Sequence, residues 1–173
     1  METVVRKRHR RRGDFASWTI DDLALSIEVI LMAHRRKLGD IYAIPLPDGT
    51  FAFCRVLQSA GAAFYKYRGK NAEDIPLTEE YEFTVYVYNH AFREWVFVVN
   101  RPFENEEESW PPPTCWVDQL TGKGSLYIKG KSIPCSYGEC KDLEITAVWD
   151  SHHVVDRLMG DHKWENSFKK PVP

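Results

Sequence analysis

The stretch Leu38 to Leu57, LGDIYAIPLPDGTFAFCRVL, constrains this chain more than any other, because two apolar runs meet there at Pro47, Asp48 and Gly49. Proline fixes φ, aspartate can bond its own backbone, and glycine accepts positive φ without a Cβ clash, so the segment reads as a β-hairpin. Its first strand contains Ile41, Tyr42, Ala43, Ile44 and Leu46. Pro45 cannot donate a ladder hydrogen bond, which places this strand at an edge or a bulge. The second strand, Thr50 to Leu57, is apolar on both faces: Phe51 and Phe53 point one way, and Ala52, Cys54 and Val56 the other. Such a strand needs cover on both sides, as in a curled sheet or small barrel.

The rest of the chain supplies more strands and two helices. Upstream, Thr19 to His34 predicts a helix, with Thr19 as N-cap, Asp21 and Asp22 in the first turn, and Ile20, Leu23, Ala24, Ile27, Ile30 and Leu31 forming an apolar stripe. Downstream, Ala62 to Tyr67 is a short strand, and 70–80 a polar connection. Tyr81 to Tyr88 alternates, with Tyr81, Phe83, Val85 and Val87 on one side and Glu82, Thr84, Tyr86 and Tyr88 on the other. Glu94 to Asn100 is a continuous apolar run, expected to be a central strand. Turns at 121–124 and 129–131 flank a strand at Ser125 to Ile128. A last strand, Leu143 to Trp149, leads into a helix capped by Asp150 or Ser151 and ending near Met159, with Gly160 after it.

These elements predict an α+β, mainly β fold: a strongly curved antiparallel sheet of about six strands, or a small barrel, with one N-terminal and one C-terminal helix. The expected organisation is a basic flexible tail at 1–18, a single globular domain at 19–160, and a mobile C-terminal tail at 161–173. Met32, followed by AHRRKLGD, is an alternative start that would make the first 31 residues an upstream extension.

Charge narrows the partners. The chain carries a formal charge of −2, but six of its 23 basic residues lie in Arg6 to Arg12, and the chain beyond residue 12 is strongly acidic. That balance counts against phosphate binding by the folded part, which needs a basic face. The densest acidic stretch is RPFENEEESWPPP, Arg101 to Pro113, where Glu104, Glu106, Glu107 and Glu108 precede Trp110 and three prolines. It reads as an exposed loop, either simply solvated or facing a basic partner with Trp110 as anchor. The Tyr86 and Tyr88 face is the other candidate platform, unless another element covers it.

Within the hairpin, Gly39, Asp40, Ile44, Pro45, Leu46, Asp48, Gly49, Phe53, Arg55 and Val56 resemble the signature of immunity protein 26, a family of immunity proteins of bacterial polymorphic-toxin systems. That signature joins a Gly-Asp, an apolar strand ending in Ile-Pro-Leu, an Asp-Gly turn and an aromatic second strand. A later stretch, LEITAVWDSHHVVDRL, is similar to a glutamate and tryptophan segment near the end of some members. The resemblance implies a small cytoplasmic protein that binds and neutralises a cognate toxin and has no catalysis of its own. It implies a structural role for Gly39, Asp40, Pro45, Asp48 and Gly49, and assigns no binding site.

Other chemistries are weakly supported. Cys54, Cys115, Cys135 and Cys140 are too few and unevenly spaced for a disulfide framework, so free thiols are expected. Zinc ligation by Cys115, Cys135, Cys140 and His152 or His153 lacks the close cysteine pair such sites use, and adjacent histidines at a helix start would not share one site. Neither metal nor cofactor is expected. A Cys-His pair or Glu144 with His152 has no surrounding motif, and no phosphate loop, HExxH or nucleophile elbow is present. No apolar stretch reaches the roughly 18 residues of a spanning helix. The alternative function is a small β-barrel binding nucleic acid through its aromatic faces and the arm at Arg6 to Arg12. A ribonuclease on a similar barrel would require a convergent His, Arg and carboxylate set.

Overall fold

The computed structural model describes residues 34–118 and 120–168. The basic arm and the helix expected over Thr19 to His34 lie outside the described residues, apart from His34 itself.

The hairpin forms as its turn chemistry requires. Strand β1 (Asp40–Pro45) pairs antiparallel with β2 (Phe51–Val56), from Ile41 opposite Arg55 to Pro45 opposite Phe51. Gly49 takes φ +83°, its N–H donates to the Leu46 carbonyl, and the Asp48 carboxylate accepts from both the backbone and the hydroxyl of Thr50. β2 continues into β3 (Gly61–Gly69) and β4 (Tyr81–Val87), both antiparallel. β5 (Val96–Asn100) returns to lie against β1. A short β9 (Val148–Trp149) joins β4 in parallel, which completes an open six-stranded mixed sheet in the order β5-β1-β2-β3-β4-β9.

Three expectations change here. The sheet is mixed and open, with β5 and β9 as its edges, where a wholly antiparallel sheet or barrel was expected. β5 lies at an edge in spite of its apolar run, because Val96 and Val99 pack onto one face near Ile41 while Phe97 covers the other. β1 is an interior strand. Its Pro45 is tolerated because β5 pairs only as far as Ala43, so the missing N–H falls beyond the ladder.

The main sheet is covered on both faces, which accounts for the apolar character of β2 throughout. One face packs Tyr42, Ile44, Cys54, Val56, Phe64, Phe83 and Val85 against Phe92, Trp95 and Trp149. The other buries Ile41, Ala43, Phe53 and Tyr65 beneath Ala72 and Ile75 of the connection before β4. Each fully buried side chain of this size contributes about 1.5 to 3 kcal/mol. A register shift between Phe64 and Tyr65 in the β3–β4 ladder turns Tyr81 onto the second face, away from Phe83 and Val85, with which simple alternation groups it.

A second, antiparallel sheet contains β6 (Thr114–Val117), β7 (Gly124–Ile128) and β8 (Lys131–Cys135). Lys129 and Gly130 both take positive φ in its two-residue turn, as the twist of a tight hairpin demands. Helix α1 (Tyr137–Cys140) comes next, and a disulfide joins Cys140 to Cys115 on β6, with Cα atoms 5.3 Å apart. This overturns the expectation of free thiols for these two residues. Sequence spacing could not show that β6 and α1 meet. Closing this loop contributes about 3 to 4 kcal/mol on a chain-entropy argument.

Helix α2 (Ser151–Leu158) starts at the Asp150 cap, where the carboxylate accepts from Ser151 N–H and His153 Nδ1 accepts from Asp150 N–H. Its Val154 and Leu158 enter the main core, and Gly160 lies just beyond it at φ +84°. The chain expected to be a tail then forms helix α3 (Lys163–Phe168), whose Trp164 packs on that core and donates to Asp156.

Candidate functional site

Three of the signature residues, Gly39, Asp40 and Arg55, hold the start of one surface segment. Asp40 is completely buried, and its carboxylate accepts from Lys37 N–H at 2.6 Å and Asn100 Nδ2 at 2.7 Å, with His34 Nε2 also 2.7 Å away. A buried carboxylate is tolerable only with partners of this kind, and here they tie the entry of β1 to the end of β5. Gly39 precedes it at φ +82°. Its carbonyl accepts from Arg101 N–H, and a Cβ at Gly39 would run into the Arg101 carbonyl. The backbone of Gly39 and the side chain of Asp40 thus fix where the chain leaves β5.

Arg55 holds the next residues. It is 5% exposed on an otherwise apolar strand, and its Nη2 donates to the carbonyls of Arg101 at 2.8 Å and Pro102 at 3.0 Å. Its guanidinium lies 3.7 Å from the centre of the Phe103 ring, and its Nη1 donates to Glu79 at 2.9 Å. Glu79 also accepts from Tyr65, Tyr81 and Arg101. Burial opposes its charge, but the hydrogen bonds from Tyr81, Arg101 and Tyr65, with the Arg55 charge, hold its carboxyl below the usual range. Burial, reinforced by Glu79, raises the Tyr65 and Tyr81 hydroxyls, so both remain donors.

The segment mounted on this network is the acidic one. After Phe103, Glu104, Glu106, Glu107 and Glu108 are all exposed, and Glu107–Ser109 form a 3-10 turn. Asn105 Oδ1 accepts from Glu108 N–H, and Lys129 pairs with Glu107. The far end is held too. Buried Ser109 accepts from Gln58 through its carbonyl at 2.9 Å and its hydroxyl at 3.2 Å, while Pro111 packs beside Gly61. Trp110 is half-buried at this end. Both ends of the acidic segment are therefore anchored to the β2 and β3 region, and its carboxylates project into solvent.

The other candidates separate. Tyr86 is 5% exposed, roofed by Tyr127 of the second sheet at a centroid distance of 5.6 Å, so it presents no surface. Tyr88 is 48% exposed and stacks on His90. Pro45, Asp48 and Gly49 serve the hairpin, while Gly39, Asp40 and Arg55 serve the acidic segment. Glu144 pairs with Arg157, not His152. His152 and His153 both lean on Trp164 with ring centres 4.0 Å apart, so they share a side after all. Among the described residues, no group of three or more His, Cys, Asp or Glu is placed to hold a metal, and no helix is long and apolar enough to cross a membrane.

Sequence reasoning missed Glu79, Gln58, Phe103 and Ser109 as parts of the mount. One signal was available: an arginine in a strand apolar on both faces must find acceptors, and Arg55 finds them here. Gln58 and Ser109 carry no such signal, since either residue is ordinary in a turn.

The fold and this mount define a mainly β protein whose best-connected polar residues hold up an exposed segment. The family model for Immunity protein 26 matches residues 37–124, which includes both the mount and the acidic segment, and the chain belongs to that family. The similarity noted for Leu143 to Leu158 lies beyond the matched residues. Neither a curated protein nor a solved structure matches the chain.

Proposed function

We propose that this protein neutralises a cognate bacterial toxin by binding it, without catalysis, as the immunity component of a polymorphic toxin system in the cytoplasm. The observation that carries the reading is that Asp40 holds Asn100, while Gly39 and Arg55 hold Arg101 and Arg55 also holds Pro102, where the acidic segment begins. A preorganised segment avoids the ordering cost that a loose loop incurs on association. Glu104, Glu106, Glu107 and Glu108 supply a field that steers a basic partner, and Trp110 supplies apolar contact at the edge of the patch. A nuclease toxin fits this chemistry, because a surface built to hold phosphate is basic and an acidic segment mimics its substrate's charge. Exposed Tyr88 is a secondary contact in this proposal.

Binding kinetics with the toxin encoded beside this gene test the proposal. Replacing the four glutamates by glutamine should slow association several-fold and flatten its salt dependence, since rim charges act mainly on the on-rate. Trp110→Ala should speed dissociation and cost about 2 kcal/mol. If neither change alters the kinetics, the interface lies elsewhere on the protein. A wild-type protein that fails to bind this toxin removes the immunity reading itself.

A further inference from the structure

Three of the four cysteines meet at one end of the second sheet, and toxin binding uses none of them. Cys115 on β6 and Cys140 at the end of α1 form the disulfide, with exposures of 4% and 0%. Cys135, the last residue of β8, is a partly exposed free thiol. Cys135 and Cys140 flank Gly124, which pairs with Cys135 across the β7–β8 ladder. A Cβ on Gly124 would stand 3.1 Å from Cys135 Sγ and 3.3 Å from Cys140 Sγ. The absent methyl leaves the gap across which the free thiol and the disulfide approach each other.

We propose that these sulfurs form a thiol–disulfide exchange site in which Cys135 is the entry point for a low-molecular-weight thiol. Exposure orders the events. An external thiol is screened from Cys115 and Cys140, whereas Cys135 ends an edge strand whose other residues, Lys131 to Pro134, are exposed. The Cys135 thiolate attacks Cys140 Sγ. A Cys135–Cys140 bond forms, the Cys115–Cys140 bond breaks, and the electron pair leaves on Cys115, which takes up the proton that Cys135 gave to solvent. This step involves no net oxidation. One external thiol then attacks Cys135 to form a mixed disulfide, freeing Cys140, and a second removes the first as the external disulfide. In sum, two external thiols reduce one protein disulfide, and the protein is left with three thiols. α1 is thereby released from Cys115, while β6 stays held to the segment after α1 by Cys115 N–H on the Glu144 carbonyl and Thr146 N–H on the Cys115 carbonyl, each at 2.8 Å.

The test uses the full chain. Protein equilibrated at about pH 8, where glutathione itself is partly thiolate, in a mixture of its reduced and oxidised forms is quenched with acid, alkylated and mapped by mass spectrometry without reduction. The expected result is two intramolecular linkages, Cys115–Cys140 and Cys135–Cys140. In a separate time course with reduced glutathione, Cys135→Ser should slow loss of the Cys115–Cys140 linkage by about tenfold or more. Recovery of the Cys115–Cys140 linkage alone overturns the proposal, as does a wild-type rate in Cys135→Ser or a protein in which these three residues form no linkage. Mapping of the wild type needs no variant, so the test stands even if Cys135→Ser folds poorly.

Discussion

Replacing Gly39 by alanine perturbs the mount at its tightest point, and the hairpin supplies an internal standard for the result. Gly39 and Gly49 have nearly the same φ, +82° and +83°, and differ in surroundings. Around Gly49 a new Cβ would meet nothing within 4 Å. Gly49→Ala should therefore cost only the left-handed backbone penalty, about 1 to 2 kcal/mol. At Gly39 the same penalty applies, and the methyl also collides with the carbonyl of Arg101, a backbone group that cannot swing aside. Displacing that carbonyl weakens the 2.8 Å bond from the Arg55 guanidinium, and hydrogen bonds to charged groups are worth about 1.5 to 3 kcal/mol. The expected total for Gly39→Ala is about 3 to 5 kcal/mol. Urea unfolding of both variants, analysed with a common slope, measures the difference. The same pair can be assayed for toxin binding, where Gly39→Ala should weaken association and Gly49→Ala should leave it near the wild-type value. Equal destabilisation by the two substitutions would refute the collision, and with it the claim that Gly39 is glycine because the start of the acidic segment passes so close.

The polar contacts support two more expectations. Glu79 titrates below the usual carboxylate range in the folded state, so its contribution is present above the unfolded-state pKa of about 4.3 and is lost as pH falls through the lowered folded value. Glu79→Gln should remove that acid-limb dependence from plots of urea midpoint against pH, whereas parallel curves for wild type and variant would deny Glu79 this role. Asp150→Ala deletes the cap that receives Ser151 N–H at 2.8 Å and should lower the unfolding temperature. Thermal unfolding checks this, and no measurable change would mean that other groups satisfy the start of α2.

What the sequence determined by itself is whatever local chemistry dictates. The hairpin at Asp48 and Gly49, the two-faced burial of β2, the turn at Lys129 and Gly130, and the capped helix after Trp149 all depend on residues within a few positions of one another. Turn, strand and cap preferences act over that range, so these features are legible without a structure. Glu104 to Glu108 were legible as a surface segment for a similar reason, since nothing in a core this size could neutralise them.

Tertiary structure alone decided how these pieces share space. Whether Val96 to Asn100 lies at an edge or in the middle depends on which strands reach it, and its composition fits either place. Tyr86 alternates like a surface residue and is buried because a second sheet folds over it. Cys115 and Cys140, 25 positions apart, meet only because α1 returns to β6. Asp40, Asn100 and Arg101 likewise share no local pattern, yet their contacts place the acidic segment. Periodicity records which face of an element is apolar, but a partner distant in the chain is chosen by the packing of the whole, where burying a charge or closing an edge in one place constrains every other.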